Sequence, residues 1–304
     1  MPTFGFGKHP TLLRIKSTTP SVSYVLANEE APSEECTLIV QHSPRALRIA
    51  IRETLSNHIK LLHEYETAGE AETGIEQSDL FTHLQPVYTK AHITQCQLYV
   101  QTGHFALIPS ELFDPTIGLR YLDMTANLPD GLTAASTHHG VFTNVFAVDT
   151  SLLIQLKNLP LPLTKICHQV DVQHVFAQNL VNDADNTLTI QALVEDKWVS
   201  FYASQGGKTL LANAFLYQTA DEFADACRHI SQATQAPGEP LPILKLMGQI
   251  VQEGVLYKRV FPFFRQIEFA QWEISADALE NLEPHRYFDL RYPVGTYSAT
   301  GTGI

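Results

Sequence analysis

The sequence predicts an α/β protein of two lobes, each a mixed sheet of order βββαβ with flanking helices. Three observations carry this. Residues 187–269 read as three strands, a helix, a strand, a helix and a strand. Residues 11–101 begin in the same order. The interval from first strand to first helix cap is also the same in both halves, Thr11 to Ser43 and Thr187 to Thr219. No residue-level identity joins the halves, so the repeat is one of elements. The lobes are expected over 1–184 and 185–304.

In the first lobe, Thr11–Ser17 (TLLRIKS) and Ser21–Ala27 (SVSYVLA) read as strands joined at Thr19-Pro20, and Thr37–His42 (TLIVQH) as a third. Ser43-Pro44 then predicts a helix start, since serine caps free amides and proline fits the first helical position. Leu47, Ala50, Ile51, Leu55, Ile59 and Leu62 follow helical spacing up to a stop before Gly69. The acidic stretch 64–79 and the residues on to Pro86 read as loop. Gln95–Gln101 and Phe105–Ile108 are strands, and Glu111–Phe113 is a short helix stopped by Asp114-Pro115. Residues 126–137 read as a Pro/Gly/Thr-rich loop, Val141–Asp149 as a strand and Thr150–Leu159 as a helix closed by Pro160. The piece around 141–165 is a candidate small subdomain. Ile166–Val170 reads as strand and Asp171–Val181 as helix.

A polar turn at 182–186 is the expected domain boundary. Thr187–Val194, Trp198–Ser204 and Thr209–Tyr217 then alternate apolar and polar positions, as half-buried antiparallel strands do. Glu195-Asp196-Lys197 and Gln205-Gly206-Gly207-Lys208 are the hairpin turns. Thr219 with Glu222 forms a capping box for a helix through Ile230, broken at Pro237-Gly238. Pro242–Met247 is a strand, Gln252–Phe264 a helix and Gln266–Ala270 a strand. The tail from Glu273 holds a short helix and ends in a Gly/Thr-rich stub.

A chain of 304 residues, 44% hydrophobic, is globular and long enough for two domains. Runs such as Leu152–Ile154 and Val260–Phe264 are too short to cross a bilayer, and Met1–Pro10 lacks the apolar core of a secretory signal. Cys36, Cys96, Cys167 and Cys227 form no C-x-x-C pair. Reduced thiols in a cytoplasmic protein without membrane insertion are expected. A net charge of −12 argues against nucleic acid as a partner, because phosphate neutralisation needs a basic surface.

Gly206-Gly207-Lys208-Thr209 ends like a phosphate-binding loop. That motif also requires glycine where Tyr202 stands and a helix directly after the lysine, where Leu210–Leu216 reads as strand. Hairpin glycines account for it better. The histidines offer no chelating pattern. His138 and His139 are adjacent and diverge, His58 and His63 miss the i, i+4 spacing, and an element boundary separates His168 from His174. No metal is expected. G-x-S-x-G is absent, and Cys167 and His168, as strand neighbours, face opposite ways, so no catalytic residue is assigned. Tyr257, Phe261 and Phe264 form an aromatic stripe that reads as core, and any exposed part would be the first candidate for a protein contact.

Trp198–Tyr217, Thr219–His229 and Leu244–Phe269 resemble an uncharacterised, mostly Bacteroidetes family, domain of unknown function 3822. Its pattern of a "fyN-F" strand end, an acidic–aromatic helix step, an apolar strand ending in glycine and a "ly" helix is matched by Asn213-Ala214-Phe215, Glu222-Phe223, Gly248 and Leu256-Tyr257. Phe105–Phe113 resembles its "lVP--lf" segment. The resemblance implies an actin-like (ribonuclease H-like) fold of the ATPase superfamily, related to pilus-assembly and cell-division actin homologues, and no activity. Working members of that superfamily hold phosphates at the turn between the first two strands of each lobe, where backbone amides face the ligand. Those turns are expected at Ser17-Thr18-Thr19-Pro20, which lacks acid and glycine, and at Glu195-Asp196-Lys197, which lacks glycine. The expectation is a protein without ATPase activity or cofactor that binds another protein. A nucleotide- or small-ligand-binding protein or enzyme using a remodelled cleft between the lobes is the alternative.

Overall fold

Residues Cys36–Glu53 are buried almost throughout, and they fold back on themselves at Ser43-Pro44-Arg45 instead of coiling. The structure, a computed structural model, describes residues 14–15, 17, 19–25, 35–67, 75–76, 92–180, 187–271 and 282–291. They fall into two compact units, one ending at His168, the other beginning at Gln169 and including 282–291. The polar turn at 182–186 and the C-terminal stub lie outside the described residues. The helix before that turn belongs to the second unit, not the first as the sequence reading had it.

In the first unit the strands are β1 (Arg14–Ile15), β2 (Val22–Val25), β3 (Cys36–His42), β4 (Ala46–Glu53), β5 (Ile59–Glu66), β6 (Ile75–Glu76) and β7 (Ile93–Val100). After an inserted piece comes β11 (Leu163–His168). The main sheet has the order β11-β7-β3-β4-β5-β2, and β1 pairs with β6 apart from it. β4 is antiparallel to both β3 and β5, while β7 lies parallel to β3 and β11 parallel to β7.

The helix predicted from Ser43 is therefore two strands. Both their faces are covered, so no alternation shows, and their apolar residues also satisfy a helical spacing. Leu38, Val40, Ile49 and Ile51 fill one side. The other side is polar but paired: buried Arg48 donates to Gln41 Oε1 (3.0 Å) and forms an ion pair with Glu64, and Arg52 donates to Gln97 Oε1 (3.1 Å). Most of the loop predicted on to Pro86 lies outside the described residues.

The insertion is a three-stranded antiparallel sheet, β8 (Phe105–Pro109), β9 (Leu132–His138) and β10 (Phe142–Asp149), ordered β8-β10-β9. Helix α1 (Gly118–Asp123) covers it through Leu122, packed with Ala106, Val145 and Ala147. The inserted sheet thus begins well before residue 141. The predicted loop 126–137 contains β9, which starts after Gly131 (φ +79) and whose threonines suit a half-exposed edge strand. Asp149 caps α2 (Thr150–Lys157) by accepting from the Leu152 amide at 2.8 Å.

The second unit opens with α3 (Gln169–Asn179) and continues with β12 (Thr189–Glu195), β13 (Trp198–Gln205), β14 (Lys208–Leu216), α4 (Ala220–Thr234), β15 (Ile243–Gly248), α5 (Val255–Val260), β16 (Gln266–Phe269) and α6 (Phe288–Arg291). Its sheet order is β14-β13-β12-β15-β16, with β12, β13 and β14 antiparallel and β15 and β16 parallel to β12. This matches β5-β4-β3-β7-β11 strand for strand. Two sheets of one topology thus carry the chain, but the first repeat begins at Cys36, not at Thr11. Ile190, Ala192, Val194, Val199 and Phe201 pack against Phe223, Cys227 and Ile230 of α4. α3 lies on the opposite face, where Ser200 Oγ donates to Gln173 Oε1 (3.1 Å) and Tyr202 Oη sits 2.7 Å from His174 Nδ1.

Candidate functional site

In each unit the first two strands of the repeat meet at a turn. In the second unit this is Asp196-Lys197, between β12 and β13, where the sequence places it. In the first unit it is Ser43-Pro44-Arg45, because β3 holds the position that β12 holds in its own sheet. Ser17 and Thr19 are exposed and lie between β1 and β2, which pair with β6 and β5 and not with each other. Thr18 lies outside the described residues. The sequence reading placed the first turn one hairpin too early, a consequence of taking β4 and β5 for a helix.

The first turn closes on itself. Ser43 Oγ accepts from the amides of Arg45 (3.4 Å) and Ala46 (2.9 Å), and the Ser43 amide donates to Ala46 O (2.9 Å). A serine hydroxyl serves the second and third following amides in a tight turn much as it does at a helix start, which is why Ser-Pro read as a cap. At the second turn Lys197 takes φ +57, a backbone region that suits glycine, and its carbonyl accepts from the Tyr217 amide at 3.0 Å. The Tyr217 hydroxyl donates to Glu195 O at 2.7 Å. Burial, with the charges of Asp196 and Glu195, pushes that phenol up to about 12.

Beyond the end of β15 the amides of Gly248, Gln249 and Ile250 donate to His285 O (2.8 Å), Val194 O (2.6 Å) and Gly248 O (3.1 Å). Gly248 has φ +85, and a Cβ there would lie 2.2 Å from Val194 O. The sequence signal for this close approach was an apolar strand ending in glycine. None of the amides named at these three places is left to face a phosphate. Gly206 (φ +53) and Gly207 (φ +74) form the two-residue turn of the β13–β14 hairpin, whose strand continuation rules out a phosphate-binding loop.

Among the described residues no three His, Cys, Asp or Glu side chains are arranged to hold a metal ion. Three of the histidines, His42, His104 and His168, do lie where the inserted sheet meets the main sheet of the first unit. His168, at the end of β11, is fully buried, with its ring nitrogens 3.2 Å from Asn144 Nδ2 and 3.1 Å from Thr102 O. The His104 carbonyl accepts from the Ala147 amide at 2.9 Å. Burial lowers the pKa of His42, at the end of β3, against the opposing charge of Asp149. Sequence reasoning missed this group because its members are distant along the chain.

The aromatic stripe divides: Phe264 is core, Tyr257 stacks on Phe269 at 5.8 Å, and Phe261, edge-on to Tyr257, is 59% exposed. The α5 helix is shorter than predicted, starting after Gly254 and passing into a tighter turn at Pro262. No described helix is long and apolar enough to cross a membrane.

No curated protein matches the chain. Among solved structures, a Bacteroides thetaiotaomicron VPI-5482 protein with an actin-like ATPase fold and unknown function is similar over 83% of this chain and 97% of its own, at 16% identity and a TM-score of 0.66. A chain of a PilM–PilN type IV pilus biogenesis complex is similar over 84% of this chain and 97% of its own, at 12% identity and a TM-score of 0.59. The fold is thus actin-like. The model of the family described as "Protein of unknown function (DUF3822)" matches residues 27–267, and the chain belongs to that family.

Proposed function

We propose that this protein is an actin-like scaffold without ATPase activity that works by binding another protein. The observation that carries the reading is the state of the two first-hairpin turns: neither holds glycine, and the Arg45, Ala46 and Tyr217 amides around them are bonded internally. A phosphate gripped there would lack the donors that offset its desolvation. The similarity to a chain of a pilus biogenesis complex supports a role within an assembly. Exposed Phe261, in the turn that follows α5, is the first place to seek the contact.

Thermal-shift measurements with ATP or ADP and Mg²⁺ test the first part, since a ligand bound only by the folded state raises Tm. No shift is expected at millimolar nucleotide. A saturable shift would instead support a nucleotide-binding reading. A pull-down from native cells, comparing the wild type with Phe261→Ser, tests the second part: loss of a specific partner is expected, and recovery of no partner by either protein would count against a binding role.

A further inference from the structure

We propose that the join between the main sheet of the first unit and its inserted three-stranded sheet is a protonation-sensitive latch, releasing the inserted sheet as pH falls. Among the described residues, three histidines of the main-sheet side meet β10 across this join. His168 ends β11 and reaches Asn144, His104 follows β7 and binds the Ala147 amide through its carbonyl, and His42 ends β3 near the charge of Asp149.

The hydrogen bonds define the form of His168. Thr102 O can only accept, so Nε2 carries the proton, and Nδ1 is the bare nitrogen that accepts from Asn144 Nδ2. The ring lies between Phe105 and Phe146, with centroids 4.9 Å away on each side. A second proton would set Nδ1–H against the Asn144 amide and place a cation at a fully buried position. His104 is nine-tenths buried, and that burial holds its pKa down. Burial does the same for His42 and outweighs Asp149. Asp149 is the charged group facing His42 from the inserted sheet, and its Oδ1 is already held by the Ser151 hydroxyl and the Leu152 amide of α2. From the main sheet His168 faces Val100 in register, and the Gln101 amide donates to His42 O, so neither neighbour offers a charge.

The closed join thus favours neutral imidazoles, whereas a solvated imidazole takes up its proton as pH falls through about 6.5. Protons bind the released form better, and the equilibrium shifts on the order of tenfold per titrating group and pH unit.

Hydrogen exchange of the full chain at pH 7.5 and 5.5, corrected for intrinsic rates, tests this. Exchange in 132–149 should rise at least tenfold at the lower pH, with 189–205 unchanged. Asp149→Asn keeps the cap of α2 but removes the opposing charge, and should move the opening to higher pH. His168→Gln should flatten the response, whereas His63→Gln, on β5 away from the join, should leave it intact. If His168→Gln does not fold, Asp149→Asn carries the test. Exchange in 132–149 independent of pH, an equal rise in both units, or an Asp149→Asn profile like the wild type would overturn the proposal.

Discussion

Ser43 and Ala46 are joined by three hydrogen bonds: each amide donates to the other residue, to Ala46 O and Ser43 Oγ at 2.9 Å, and Ser43 Oγ donates to Ala46 O at 3.0 Å. The serine is 3% exposed, so water cannot replace its hydroxyl. Ser43→Ala should therefore cost about 1–3 kcal/mol, the usual penalty for leaving a buried donor unmet. Urea unfolding at pH 7 would show it as a lower midpoint at unchanged slope.

Gly248 offers a sharper test of backbone geometry. Alanine there meets both a left-handed backbone and the Val194 carbonyl 2.2 Å from its Cβ, whereas alanine at Gly140 (φ +75) has nothing within 4 Å. Gly140→Ala should cost roughly 1 kcal/mol from the backbone alone. Gly248→Ala should cost roughly 3 kcal/mol or more, because neither strand can yield without breaking the sheet. Equal costs would show that the β12–β15 contact is soft.

The second unit was legible in the sequence because its outer strand is half-exposed. Lys208–Leu216 is nowhere fully buried and alternates in burial over its first four residues, and the glycines at 206 and 207 mark the turn before it. In the first unit Ala46–Glu53 is buried at every position, and Arg48 and Arg52, which look like surface residues, find partners inside in Glu64, Gln41 and Gln97. Neither local propensity nor period can reveal a strand whose polar residues find partners on other strands. The meeting of His42, His104 and His168 near β10 was invisible for the same reason.

Glu53 should shape the acid limb of stability. Burial alone would raise its pKa, but Lys60 at 2.9 Å, Ser56 and His58 together hold it below the ordinary 4.5. A carboxyl with a depressed folded pKa contributes stability that is present above the unfolded value and lost as pH falls through the folded one. Glu53→Gln should thus be less stable than the wild type at pH 7, with the gap narrowing as acid protonates the carboxyl. A gap that does not narrow in acid would point to packing instead.

All four thiols should be silent in the native state. Cys36, Cys96, Cys167 and Cys227 are buried, and burial pushes Cys96 up to about 12 and Cys227 higher still. Since the thiolate is the reactive form, a disulfide reagent at pH 8 should titrate no thiol in the folded protein and four in denaturant. Rapid reaction of any one would reveal local opening of its strand.

The two matching sheets impose unequal tasks on the growing chain. In the second unit β15 and β16 pair across residues 249–265, while in the first β7 must wait for β11 across 101–162. Closing the longer loop costs more entropy before any contact repays it. The last parallel pairing of the first sheet bridges the wider gap, so the stability of that edge leans on the inserted sheet being formed within it.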